Sequence, residues 1–295
     1  MTVRLPDVFL VGAPKSGTTA MYEYLRAHPD IFVSPIKELH YFSMDVFDDY
    51  RPYGPRTLEE YTNCFKGAIR EKRIAECSPT YLGSPSAPRK IKAFMPEARI
   101  IIMLRNPVDV MYALHSQHLW DTTESIKDFG AALEADRRHS ATGIRRLPGL
   151  SYRDTVRYSI QVRRYLEVFG HARTFIVIFD DFEANPALVY RDTLRFLDVN
   201  PTVTITPSIV NANHAPRNYR LQRLLVQRFS HFARIFPKQF QRSVGRTLLK
   251  LNTMNLPRPL INTRLKIELL QDILPEVEEL SCLLGRDLTH WSRDI

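Results

Sequence analysis

The sequence predicts an α/β fold: a single domain over residues 1–295, with a central, mostly parallel β-sheet flanked by helices and a P-loop-like phosphate-binding loop. Three observations carry this expectation. An apolar run at residues 8–11 feeds the loop Gly12-Ala13-Pro14-Lys15-Ser16-Gly17-Thr18-Thr19, and Met21, Tyr22 and Leu25 follow at helical spacing. Residues 99–104, Arg-Ile-Ile-Ile-Met-Leu, form the continuous apolar run of a strand buried on both faces. Residues 174–179 form a third such run, and helical patterns separate all three, so right-handed βαβ units follow.

Taken in order, His28-Pro29-Asp30 ends the first helix and Ile31-Phe32-Val33 reads as a short strand. Residues 34–42 form a polar loop held by aromatics, 45–57 look irregular, and 58–65 read as a short helix. Residues 73–76 form a strand that ends in the turn Ser78-Pro79-Thr80-Tyr81, and 87–94 are helical. The 99–104 strand stops at Arg105-Asn106-Pro107, where proline opens the next helix. One helix is expected from Gly149 through Phe169, another over 186–197, and a last one over 265–284 that stops at Gly285. Asp287 to Trp291 form a short tail that packs down.

Apolar content of 44% and charged content of 25% describe a globular chain with a sizeable core. Three widely spaced cysteines, Cys64, Cys77 and Cys282, make neither a disulfide framework nor a metal cluster, which points to a reducing, cytoplasmic setting. The N-terminus runs into the first strand without a signal-like apolar region, and no run approaches the roughly 18–20 residues of a membrane helix. The net charge of +9 is concentrated: nine Lys and Arg residues lie in 217–250, which contains no Asp or Glu. Charge gathered in one segment fits an anionic ligand or surface better than a nucleic-acid coat, and no nucleic-acid partner is expected.

A nucleotide P-loop reads G-x-x-x-x-G-K-[ST]. Gly12 and Gly17 have that spacing, but Thr18 stands in the lysine position and the lysine is three residues earlier, at Lys15. The loop still offers backbone N–H groups and a helix N-terminus to an anion. A kinase or NTPase also needs a carboxylate for Mg²⁺ at a nearby strand end. The 99–104 strand ends in Arg105, which suits a second phosphate; Asp180 and Asp181 end another strand and leave a metal site open. A ligand carrying phosphates at both ends, gripped at two strand C-termini, fits the pattern best.

Pro14-Lys15-Ser16-Gly17-Thr18-Thr19 resembles the 5′-phosphosulfate loop of the sulfotransferases that use 3′-phosphoadenosine 5′-phosphosulfate (PAPS). Leu104-Arg105-Asn106-Pro107-Val108-Asp109 with Tyr112 resembles their 3′-phosphate motif, and Lys37-Glu38-Leu39-His40-Tyr41-Phe42 the base-carrying loop of the heparan-sulfate branch and its bacterial relatives. The resemblance implies sulfuryl transfer from PAPS to a hydroxyl, with PAP, the desulfated nucleotide, as product and no metal. Lys15 would neutralise the 5′-phosphate and bridging oxygen; Ser16, Gly17, Thr18 and Thr19 would supply donors; Arg105 would hold the 3′-phosphate. The family's second 3′-phosphate ligand, a serine, is replaced by Ala113, with Ser116 one helical turn on as its candidate substitute. Tyr152 sits where the family places an aromatic near the nucleotide, and Arg217 where relatives close a basic loop over it.

Glu38 is the candidate general base, with His40, His115 and His118 as alternatives and His40 also a candidate to orient the acceptor. Glu76 either faces the acceptor or caps a turn, and Cys77 replaces a lysine common in the heparan-type branch. The acceptor is a hydroxyl of a small molecule, lipid or glycan. Leu and Phe recur at spacings of three and four in 217–250, so this segment is a basic amphipathic lid helix, a guide for a carrier protein, or a membrane-surface element. The alternative function is a P-loop-like kinase or a non-catalytic nucleotide-binding protein.

Overall fold

A computed structural model describes residues 4–47, 54–141, 151–205, 214–225, 251–255 and 259–293. Five parallel strands form one sheet in the order β2-β3-β1-β4-β5. They are β1 (Val8–Gly12), β2 (Ile31–Val33), β3 (Arg73–Cys77), β4 (Arg99–Leu104) and β5 (Thr174–Ile178). The central strand β1 is buried along its whole length, as its unbroken apolar run predicts.

Helices cover both faces. α1 (Thr18–Arg26), α9 (Phe179–Ala184) and α10 (Pro186–Phe196) cover one side, where Leu10, Met21, Leu25, Ile101 and Leu194 form a core. On the other side lie α4 (Ala87–Phe94), α5 (Pro107–Asp121), α6 (Phe129–Ala141), α8 (Tyr158–Phe169) and the long helix Thr263–Leu284, here α12. Their core contains Phe9, Ile100, Ile102, Tyr165 and Trp291. Short helices α2 (Met44–Phe47), α3 (Leu58–Asn63), α7 (Tyr152–Thr155) and α11 (Tyr219–Arg223) fill the connections. The apolar residues therefore alternate between two faces of one sheet, and all C-terminal strand ends open on one edge.

Three expectations are corrected. The helix expected through 149–169 is two helices: Ser151 caps the first through Asp154 N, and Tyr158 N turns back to Val156 O, which breaks the ladder before α8 begins. The third core strand ends at Ile178, and Phe179, Asp180 and Asp181 open α9, where acidic side chains suit a helix N-terminus. In the basic segment, Leu221 and Leu224 of the expected buried face are exposed, and the buried side chain is Gln222. Gln222 donates to Trp120 O (3.0 Å) and accepts from Asn252 (2.9 Å), a polar anchor in place of an apolar one. The rest of the expected lid, 226–250, lies outside the described residues, as does Gly149. A two-stranded ribbon, β6 (His214–Pro216) with β7 (Thr253–Asn255), was not foreseen.

Candidate active site

The 12–17 loop joins β1 to α1 at the open sheet edge. Ala13 N bonds Met103 O (2.6 Å), which fastens the loop to the neighbouring strand β4. Gly12 (φ 156°) is needed for close approach, because a Cβ there would meet Leu82 Cβ at 2.5 Å and Pro79 O at 2.9 Å. Gly17 (φ 86°) caps α1 without any side-chain hydrogen bond, and the first turn of α1 contains no acidic residue. The positive end of the helix is thus left to an anion. Ser16 is fully buried beneath the loop.

Arg105 leaves the end of β4. Its Nη2 donates to Asp109 (3.0 Å), its guanidinium stacks 4.5 Å from the centre of the Phe179 ring, and its buried Nε has no hydrogen-bond partner. The same ring lies 3.1 Å from where a Cβ on Gly17 would stand. Phe179 therefore bridges the loop and the arginine, a role hidden in the sequence because the residue reads as the last of a strand. Asn106 caps α5 through Val108 N and donates to Trp291 O (3.0 Å). Trp291 Nε1 donates to Asp180 (2.6 Å), His290 contacts the same carboxylate (2.8 Å), and Arg286 pairs with Asp181. The strand-end carboxylates left open as metal ligands are engaged by the C-terminal tail.

Glu38 enters the site from the next loop, with its N–H bonded to Cys77 O (2.9 Å). Lys37 pairs with Glu38 Oε1, and His40 Nε2 stands 3.8 Å from Glu38 Oε2. His40 Nδ1 bonds Thr80 Oγ1 (2.7 Å), which in turn contacts Ser43 Oγ (3.1 Å). Lys15 (φ 61°), Glu38 (φ 65°) and His40 (φ 56°) are three of the five non-glycine residues with positive φ among the described residues. Each left-handed conformation costs roughly 1–3 kcal/mol. Three residues expected in the site thus share an unfavourable backbone conformation.

Other candidates have different surroundings. His115 is buried with Nε2 on Ile126 O (2.8 Å), and His118 is buried against Tyr152. Tyr152 is itself fully buried, donating to Glu124 (3.3 Å) within this aromatic cluster, so it serves the core. Ala113 is also buried, and Ser116, half-buried, donates back to Tyr112 O (3.1 Å). Arg217 is exposed, with its main-chain N–H on Asn252 O (2.6 Å). Asp121, which sequence reasoning missed, ends α5 within the field of Lys15 and Glu38; burial raises its pKa against a Gln117 hydrogen bond and the Lys15 charge.

Glu76 does not face an acceptor. It is 1% exposed and accepts from Ser78 Oγ and Tyr61 OH (3.1 Å), and burial pushes its pKa from the ordinary 4.5 up to about 7. Ser78 Oγ also accepts from His40 N (3.1 Å), so this buried carboxyl shapes the base loop from below. Between pH 4.5 and 7 the native state retains a proton that the unfolded chain releases, so stability falls as pH rises through that window. Relative to Glu76→Gln, the wild-type protein is expected to lose roughly 3 kcal/mol across it. Thermal midpoints of both proteins from pH 5 to 8 check this; parallel profiles would refute it. Cys77 is buried and its thiol pKa is pushed up, mainly by that burial, which removes it as a nucleophile.

Residues 5–219 match the family described as sulfotransferase domain. The human bifunctional heparan sulfate N-deacetylase/N-sulfotransferase 2 (Homo sapiens) is 28% identical over 222 residues, 70% of this chain and 23% of its own length. Human heparan sulfate glucosamine 3-O-sulfotransferase 6 is 34% identical over 122 residues, 40% of this chain and 32% of its own length. The chain thus spans only a quarter to a third of these two relatives. A crystal structure of a sulfotransferase from Alicyclobacillus acidocaldarius superposes with a TM-score of 0.77 at 27% identity, covering 99% of this chain and 100% of that one. The family match runs over more than two thirds of the chain, and this chain belongs to the sulfotransferase domain family.

Proposed function

We propose that PAPS is the donor and that a hydroxyl of a small-molecule, lipid or glycan acceptor receives the sulfuryl group, leaving PAP. The carrying observation is that the uncapped loop–helix junction at Gly17 and the guanidinium of Arg105 share the Phe179 ring at adjacent strand ends. The unpartnered Arg105 Nε and the uncapped α1 terminus fit a ligand with two anionic ends. PAPS supplies a sulfuryl group on a phosphate leaving group. Lys15 and the N–H and hydroxyl groups of Ser16, Gly17, Thr18 and Thr19 neutralise charge at the 5′ end, and Arg105 holds the 3′-phosphate.

Glu38 takes the acceptor proton; Lys37 and His40 fix its carboxylate, and Thr80 fixes His40. Lysine and main-chain donors supply the stabilisation that a metal gives a kinase, and Asp180 and Asp181 are already committed to the C-terminal tail. Ser116 and Arg217 are the remaining cofactor-binding candidates. Because Cys77 stands neutral where the branch often has lysine, an acceptor less densely sulfated than heparan fits better. Unpaired Cys64, Cys77 and Cys282 support a cytoplasmic setting, and no described helix is long and apolar enough to cross a membrane. A carrier protein or membrane surface at 217–250 stays part of the proposal on charge alone.

Calorimetry separates this reading from a kinase. PAP is expected to bind without divalent cation and ATP·Mg²⁺ only weakly; tight ATP·Mg²⁺ binding without a PAP response would sink the proposal.

A further inference from the structure

Tyr158 opens α8 on the floor of the site, and neither the family motifs nor the sequence pattern assign it a task. The residue is fully buried. Its hydroxyl lies beside the Ser16 side chain and the Arg105 main chain, yet it forms no hydrogen bond of proper geometry with either. Burial raises the phenol's pKa, so the group stays a neutral donor at any working pH. Ser16 is equally poorly engaged: its hydroxyl reaches only Pro14 O, at 3.5 Å. Two buried hydroxyls side by side, both under-bonded, lie between the two halves of an anion grip. An unmade buried hydrogen bond is destabilising, so such a pair lowers the stability of the ligand-free protein.

We propose that Tyr158 is a positioning residue whose hydrogen bond is completed when nucleotide binds: Tyr158 donates to Ser16 Oγ while Ser16 turns its own proton to the bound anion. A serine hydroxyl has one proton and two lone pairs, so donating to the anion leaves it free to accept from Tyr158. Each bond polarises the next and strengthens the Ser16 donor. The contact with the Arg105 main chain ties the same relay to the strand that carries the 3′-phosphate ligand. This inference rests on the two-phosphate reading above.

The test combines Tyr158→Phe, Ser16→Ala and the double variant, with PAP affinity by calorimetry and thermal midpoints without ligand. Tyr158→Phe is expected to leave the ligand-free midpoint unchanged or raise it, because it removes a hydroxyl that has no partner there. PAP affinity is expected to fall about tenfold, the size of one hydrogen bond in a charged relay. In the Ser16→Ala background the same substitution is expected to change PAP affinity less than twofold, since its route to the anion is gone. A buried tyrosine of purely structural value behaves differently: its loss lowers the ligand-free midpoint and weakens PAP equally in both backgrounds, and that result overturns the proposal. Unchanged PAP affinity in Tyr158→Phe, with wild-type protein binding PAP, overturns the Tyr158 role alone. Wild-type protein that fails to bind PAP removes the two-phosphate reading, and this inference with it.

Discussion

Replacement of Lys15 by alanine is expected to lower kcat by about a hundred- to a thousandfold, the usual cost of losing one preorganised electrostatic donor. The lysine is the mobile cation of a loop whose other donors are main-chain N–H groups and short hydroxyls. Its backbone is held at φ 61°, so the position is specified despite an unfavourable conformation for a side chain. PAP affinity is expected to fall less than kcat, because charge at the bridging oxygen grows only as the bond to sulfur breaks. Lys15→Arg is not expected to restore the rate, since a planar fork cannot substitute for a compact ammonium on a fixed loop. Initial rates with saturating acceptor and PAP titrations check this; wild-type kcat in Lys15→Ala would remove the lysine from the chemistry.

The second large effect is expected at Glu38. Glu38→Gln keeps the size and one acceptor oxygen but cannot take a proton, and transfer is expected to fall by about 10²–10⁴-fold. PAP affinity should stay within about twofold, because the carboxylate belongs to the base loop, where it contacts Lys37 and His40. That split between rate and donor affinity distinguishes a base from a residue that only supports the fold. His40→Ala, compared in the same assay, separates the two candidates. If His40→Ala abolishes transfer while Glu38→Gln keeps the wild-type rate, the histidine is the base.

The sheet was legible because its strands announce themselves by period and composition. Residues 8–12 and 99–104 are apolar on both faces, and only a covered parallel sheet accommodates that. The breaks were less legible. Nothing in the composition of 149–169 marks the turn at Val156, where a main-chain bond from Tyr158 N interrupts an otherwise helical pattern. Lys15, Glu38, His40 and Arg105 stand out as candidates in the sequence because charged or titratable side chains at loop and strand ends have few structural uses. Phe179, Thr80 and Tyr158 could not, since an aromatic or hydroxyl near a strand end is ordinary core until distances show what it touches. Glu76 stays ambiguous in the sequence: a glutamate ahead of a turn suits a substrate face or a cap, but Tyr61 and Ser78 keep it in the interior.

The C-terminal tail reaches the strand ends on either side of Arg105. Asn106 and Asp180 are held by Trp291, and Asp181 by Arg286, so residues more than a hundred positions apart must meet before the arginine is framed. A substitution that releases Trp291 is therefore expected to loosen the ends of β4 and β5 together while leaving the hydrogen bonds between those strands intact.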